Sequence, residues 1–379
     1  MSSNTSDATS SLKRKRYSNR RFWFYVRRAI WILIAWVLIS NLIFFYEFIT
    51  LSSENVFGSD YDFKTAFIAN LIVAVSAGIL GGIITVNLME YWLRRYAFWK
   101  ALLLIVVVYT VAAVLISATG ALYKSSQELD LPLFHHEVVE EMFFFFGTWM
   151  FVKNFFIWLF IVIITLIVLM VNDKYGPGVF PDYLMGKYFL PKNERRIFMF
   201  ADIRNATGIA EKLGERKYFL LLKDFFKDIA PAIVRTRGEV YQYVGDEVVV
   251  SWKMKSGLKN GNALHCFYMM KDAIAARNEK YQKKYGLVPD FKVGYHYGSV
   301  TVGELGQIKR EIAFSGDVLN TTARIQAQCN AQGVDILASA AFADIAYILP
   351  KGISRYDLGN QQLKGKSEEI ALVTFRNDV

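Results

Sequence analysis

Four apolar stretches, each long enough to cross a lipid bilayer, fill most of the sequence before residue 172, and they decide most of what this chain can fold into. A crossing helix takes roughly 20 residues, because lipid offers no partners to backbone N–H and C=O groups. The first stretch runs from about Ala29 to Tyr46 without a charge. The second spans Thr65 to Met89 and the third Ala101 to Tyr123, neither holding an Asp, Glu, Lys or Arg. The fourth ends at Val171 and begins between Met142 and Phe155, its start obscured by Lys153 and Asn154. A chain that is 54% hydrophobic and 21% charged, with mean hydropathy +0.24, is neither a disordered polymer nor a wholly soluble protein. Two cysteines, Cys266 and Cys329, exclude a disulfide scaffold or a cysteine-built zinc site; both are expected reduced and buried.

The charges between these stretches alternate in sign. Residues 1–28 hold eight Lys and Arg against Asp7, and Arg94, Arg95 and Lys100 outweigh Glu90 between the second and third stretches. Lys174, Lys187, Lys192, Arg195 and Arg196 follow the fourth. The other two loops are acidic, with Glu54, Asp60 and Asp62 in one and Glu128, Asp130, Glu137, Glu140 and Glu141 in the other. The positive-inside rule then places both termini in the cytoplasm, and the expected location is the inner (cytoplasmic) membrane, as a multi-pass protein. The net charge of +10 sits largely beside the membrane, so it reads as topology and affinity for anionic lipid, with no nucleic-acid partner. The first apolar core is too long for a cleaved signal peptide. Gly78 and Gly82 form a small-xxx-small spacing, expected to pack helices within one subunit. His135 and His136 adjoin acids, but adjacent residues share no helix face, so a metal or haem role is not favoured. The expected organisation is a basic cytoplasmic segment at 1–28, a four-span helical membrane domain at 29–171, a connector at 172–193 and a soluble domain at 194–379. The connector carries Gly176-Pro177-Gly178, Pro181, Gly186 and Pro191, which interrupt any continuous helix.

From Arg196 the pattern alternates between strands and helices. Ile197 to Ala201 reads as a buried strand ending at Asp202, followed by helix to about Arg235. Val240–Val244 and Val248–Trp252, joined by Gly245-Asp246, read as a hairpin. Residues 260–286 read as helix. Phe291–Tyr297 and Val300–Glu304 read as a second hairpin with Gly298 at its bend, and 317–330 as another helix. The expectation is an α+β sheet domain with its helices on one face.

Asp202 and Asp246 both stand where strands meet turns. Asp202 leads through Arg204-Asn205-Ala206-Thr207-Gly208 into a helix start, whose free N–H groups suit phosphate oxygens. Such an acid alone is more often a helix cap. Carboxylates beside a helix start also suit a divalent cation carrying a nucleoside triphosphate. Further blocks tip that balance. Phe200-Ala201-Asp202-Ile203, Val244-Gly245-Asp246-Glu247, Gly316-Asp317-Val318-Leu319-Asn320-Thr321-Thr322-Ala323-Arg324 and Leu363-Lys364-Gly365-Lys366 together resemble the class III nucleotidyl cyclase homology domain, over about residues 194–377.

The resemblance implies a ferredoxin-like core sheet with helices, and a membrane-bound cyclase that makes a 3′,5′-cyclic mononucleotide and pyrophosphate for signal transduction. It implies that Asp202, Asp246 and the Ile203 carbonyl hold two Mg²⁺ or Mn²⁺ ions. It assigns Asn320 to orienting the ribose and Arg324 to the transition-state charge on the α-phosphoryl group. Asn205, Ala206 and Thr207, with Lys292 and Lys364, would contact the phosphates. Ala206 stands where the family usually has Phe. In this family each site draws its metal half from one subunit and its Asn/Arg half from the other. This chain has both halves, which implies a head-to-tail homodimer.

Base choice falls on Gln242 and Ala313, where adenylate cyclases of the family show Lys with Asp or Thr, and guanylate cyclases Glu with Cys. Gln can read either purine edge, Ala313 bonds nothing through its side chain, and Ser315 two residues on could substitute. ATP is expected ahead of GTP as the family's commoner substrate. Three rivals stand beside this reading. Val244-Gly245-Asp246-Glu247-Val248 also resembles a degenerate diguanylate cyclase turn, which lacks a use for Asn320 and Arg324. A catalytically silent nucleotide-binding membrane receptor would not require Arg324. A channel or transporter finds little support in spans without deep ionisable residues.

Overall fold

The computed structural model describes residues 3–53, 61–87, 98–175, 185–308, 310–366 and 368–377. The chain divides into two compact units, residues 14–171 and residues 172–379, the latter grouped with residues 1–13. Arg94 and Arg95, Glu54 and Asp60, and the Gly176-Pro177-Gly178 and Pro181 breakers lie outside the described residues.

The first unit is helical: α1 (Ser3–Ser53), α2 (Phe63–Asn87), α3 (Phe98–Leu129), α4 (His136–Phe146) and α5 (Trp149–Tyr175). Four segments are long and apolar enough to cross a membrane: Val26–Ser53, Phe63–Asn87, Leu103–Leu129 and Trp149–Asn172. The ambiguous fourth start is settled by Gly147, whose N–H closes α4 onto Phe144 and Phe145. Lys153 therefore lies inside the fourth segment, and its ammonium is 2.8 Å from the Glu47 carboxylate of α1. The glycines of α2 pack against α1 of the same chain. A Cβ on Gly78 would come 3.0 Å from the Leu33 Cα, and one on Gly82 3.1 Å from the Ala29 carbonyl. Gly81 faces the Trp36 ring, whose Nε1 donates to Thr165 at 3.0 Å and whose indole meets Trp158 edge-on at 5.6 Å. His136 pairs with Glu140 at 3.4 Å in solvent, and no cluster of three or more His, Cys, Asp or Glu among the described residues could hold a metal.

The second unit is built on one sheet. Its strands are β1 (Lys192–Ile203), β2 (Glu239–Val244), β3 (Glu247–Lys253), β4 (Phe291–Leu305), β5 (Glu311–Ser315), β6 (Ile336–Ser339), β7 (Ile353–Gln362) and β8 (Glu369–Asn377). Its helices, in chain order, are α6 (Ala206–Leu213), α7 (Glu215–Arg235), α8 (Met254–Leu258), α9 (Asn262–Ala275), α10 (Asn278–Tyr285), α11 (Asp317–Ala327) and α12 (Ala340–Ile345). The strand order is β2-β3-β1-β4-β6-β8-β7, with β5 also on β4. The β1–β4 portion is antiparallel throughout and has the ferredoxin-like arrangement.

The alternation of β1 fixes both faces of the sheet. Ile197, Met199, Ala201 and Ile203 meet Leu221, Phe225 and Ile229 of α7 and Phe267, Met270 and Ile274 of α9. Phe198 and Phe200 point the other way, onto Val249, Val300, Val302 and Val318. The helices are thus not confined to one face as expected: Val318 belongs to α11, which covers the second face because Phe198 and Phe200 leave it apolar. The spacing Leu221, Phe225, Ile229, Ile233 gives α7 its buried stripe, and Gly214, at φ +74°, ends α6 and starts it.

The second expected hairpin is absent. Residues 291–305 form the single strand β4, running antiparallel to β1 from Ile203↔Phe291 to Lys192↔Val302. Gly298 is no bend. A Cβ there would lie 3.2 Å from Val318, so the glycine serves close packing of α11 on the sheet. The actual turn follows Leu305 and leads into β5. Both cysteines are buried and free, and burial pushes each thiol up to about 12.

Candidate active site

Strand pairing assembles the acidic centre. Asp202 is the next-to-last residue of β1, and antiparallel register sets Glu247 of β3 and Lys292 of β4 directly opposite it. Asp246 arrives from the tip of the β2–β3 hairpin, where Gly245 takes φ +61° and lets the chain reverse. Burial, then the adjoining Asp202 carboxyl and its charge, push Asp246 up to about 6. Glu247 is pushed up to about 7 by burial and then by the same two acids. Tyr218 of α7, half-buried near Asp246 and Asp202, rises to about 12, by desolvation first and then by those two charges. Lys292 is buried, with Nζ 3.6 Å from Asp202 Oδ2, and Gln326 Nε2 donates to that same oxygen at 3.1 Å.

The loop after Asp202 is pinned from behind. The Arg204 N–H donates to the Asp290 carbonyl at 2.9 Å, and its guanidinium reaches Asp335 at 2.8 Å, Asn330 at 2.8 Å and the Val334 carbonyl at 2.6 Å. Asn205 then adopts φ +52°, a left-handed turn that Asn tolerates, and α6 starts at Ala206. Ala206 packs on the core while Thr207 is exposed, and the first N–H groups of α6 are those a helix start leaves without intrahelical partners.

A second cluster forms on α11. Asn320 is exposed one turn before Arg324, whose Nη1 donates to the Gly365 carbonyl at 3.0 Å. Lys366 binds Asp317, and this hydrogen bond, with that from Thr321, holds the Asp317 carboxyl below its ordinary range against partial burial. Lys364 is exposed on the turn so anchored. Lys292, expected among the phosphate contacts, stands beside the carboxylates, its Nζ 3.6 Å from Asp202. Gln326 and Arg324 are two residues apart, about 200° around a helix, so the face bearing Asn320 and Arg324 turns away from this chain's own Asp202.

Gln242 is exposed on β2 beside a bulge, and Ala313 is half-buried on β5 opposite Gly303. The two strands meet through Tyr241, whose hydroxyl accepts from the Phe314 N–H at 3.3 Å and whose ring lies 4.8 Å from Phe314. Three neighbours of the acids escaped sequence reasoning: Glu247, Gln326 and Tyr218. Glu247 was legible, because hairpin register puts it beside the strand-end acid. Nothing local marks Gln326 or Tyr218, whose approach depends on helix packing.

The donor set fits a divalent cation. Burial and the neighbouring Asp202 charge disfavour the ionised form of Asp246, a cost that a cation between the two acids would offset. Two carboxylates and a carbonyl such as that of Ile203 are oxygen donors, the type Mg²⁺ and Mn²⁺ take.

Residues 191–374 match the family model for the adenylate and guanylate cyclase catalytic domain. Adenylate cyclase 2 of Rhizobium meliloti is 31% identical over 210 residues, covering 55% of this chain and 57% of that protein. Adenylate cyclase 1 of the same organism is 26% identical over 181 residues, 45% of this chain and 26% of its own length. The chain thus spans little more than half of the first relative and about a quarter of the second. The crystal structure of the adenylyl cyclase CyaB from P. aeruginosa aligns with 50% of this chain and 98% of its own, at 18% identity and TM-score 0.44. Sequence blocks, strand order and family match agree on one point: residues 191–374 carry an adenylate and guanylate cyclase catalytic domain.

Proposed function

We propose that this chain is a membrane-bound nucleotidyl cyclase that converts ATP, or secondarily GTP, into the 3′,5′-cyclic mononucleotide and pyrophosphate. The carrying observation is the division of the site: Asp202 and Asp246 meet at one end of the sheet, while Asn320 and Arg324 share a helix face turned away from them, with Lys364 on the turn that Arg324 holds through the Gly365 carbonyl. A single chain therefore presents two complementary halves. A head-to-tail homodimer brings each acidic half against the basic half of the second copy, completing two equivalent sites.

Asp202, Asp246 and the Ile203 carbonyl would hold two Mg²⁺ or Mn²⁺ ions. Bound there, such ions neutralise phosphate charge and acidify the ribose 3′-hydroxyl. Asn320 orients the ribose so that its 3′-oxygen lies in line with the α-phosphorus. The new P–O bond forms there as the bond to the β-phosphate oxygen breaks, pyrophosphate departs, and the 3′-hydroxyl proton passes to solvent. Arg324 stabilises the added charge on the α-phosphoryl oxygens, an effect largest where water is excluded. Lys364 and the N–H groups from Asn205 to Thr207 hold the outer phosphates. Gln242 and Ala313 flank the base, and Gln242 can donate to or accept from either purine.

The four spans anchor the cyclase at the cytoplasmic side of the inner membrane, a placement supported by the basic and acidic alternation of the loops. The test is the purified full chain with Mn²⁺ and labelled ATP or GTP. Cyclic AMP and pyrophosphate are expected. A cyclic dinucleotide, or nucleotide binding without any product, contradicts the reading.

A further inference from the structure

Gln326 is the least expected neighbour of the acidic centre. It is 5% exposed, lies on α11 rather than on the strands that deliver the acids, and donates Nε2 to Asp202 Oδ2 at 3.1 Å. Lys292 approaches the same oxygen from β4 at 3.6 Å. The Gln326 hydrogen bond, with the Lys292 charge beside the same oxygen, restrains rotation of the carboxylate about its Cβ–Cγ bond, so the direction of the second oxygen is set before any cation arrives.

The backbone is shaped to permit this contact. Gly294 of β4 lies two residues beyond Lys292, and a Cβ there would fall 2.5 Å from the Gln326 nitrogen and 2.7 Å from its Cα. Only a glycine lets α11 descend this far, and the descent brings the Gln326 amide to Asp202. The amide is neutral, so it orients the carboxylate without offsetting the negative charge that a cation needs. A second lysine would have competed with the cation.

We infer that Gln326 is a positioning residue for the cation site, holding Asp202 in the rotamer that receives the metal. This rests on the proposed cyclase reading. Partners of this kind, one step removed from the ion, typically change metal affinity by about 10–100-fold when removed.

The test uses the full chain in detergent. Gln326→Met keeps the length and removes the donor; Gln326→Asn keeps an amide but withdraws it by one methylene. Mn²⁺ binding is read directly by electron paramagnetic resonance without nucleotide, and the Mn²⁺ concentration for half-maximal cyclase activity is read separately. Both variants are expected to bind Mn²⁺ about 10-fold more weakly or worse. Their melting temperatures without metal and their KM for nucleotide at saturating Mn²⁺ should stay near those of the parent. Unchanged Mn²⁺ affinity in either folded variant, with a parent that binds and cyclises, overturns the inference and leaves the cyclase reading intact. A parent that binds no Mn²⁺ overturns both.

Discussion

The two units solve opposite problems with the same side chains. In residues 14–171 large apolar groups face outward, as Leu42 does at 73% exposed, while Ala74, Ala77, Gly78 and Gly82 fill the interior. In residues 172–379 Phe198, Phe225, Trp252 and Phe291 are fully buried. In lipid there is no hydrophobic force between helices, so close backbone contact and a few hydrogen bonds such as Trp36 to Thr165 carry the packing. In water the apolar side chains themselves drive the sheet against its helices. The catalytic unit can therefore hold polar groups at its sheet ends on a rigid core, and there the acidic pair appears.

The largest effects fall on chemistry alone. Asp202→Ala or Asp246→Ala should lower cyclase turnover about 10³-fold or more while membrane insertion and the melting of either unit barely change. A loss of insertion would break the separation between the units.

Next come the glycines, which both units use for close approach but against different obstacles. Gly294→Ala meets backbone of α11, which cannot yield, and should cost about 3 kcal/mol in the catalytic unit, read as faster hydrogen exchange along β1 and β4. Gly81→Ala meets the edge of the Trp36 ring and should cost about 1 kcal/mol, read in the exchange of α1 and α2. Equal effects would contradict the view that the obstacle sets the cost.

Between these lies a pH effect confined to the catalytic unit. His296 is pushed down to about 4 by burial and then by Lys366, with Asp317 opposing, and its Nδ1 lies 2.7 Å from the Ser339 hydroxyl. The folded chain keeps this imidazole neutral, whereas the unfolded chain protonates near pH 6.5. Its contribution is thus complete above pH 6.5 and falls away as pH drops toward 4. At pH 5 the deficit is about 2 kcal/mol. Urea unfolding at pH 7 and pH 5 should show His296→Gln less acid-sensitive than the parent by about that amount.

How much was legible follows the same divide. The four spans stood out from uninterrupted apolar runs, and only the fourth start needed Gly147 to place it. The β2–β3 hairpin and the four motif blocks were readable because each is local. The reach of β4 was not, because a glycine reads as a bend unless one knows that Val318 presses on it. For the same reason the helix on the second face, Gln326 beside Asp202, and Lys292 among the acids were hidden. Each depends on which helix packs where, and no single segment records that.

The central claim is that the acidic half of one chain works with the arginine half of another. Mixing an Asp202→Ala chain with an Arg324→Ala chain, each inactive alone, tests it most directly. The account predicts that mixed dimers regain one sound site in two and recover a substantial fraction of parental activity. A mixture as inactive as its two components, with mixed dimers shown to form, would contradict it.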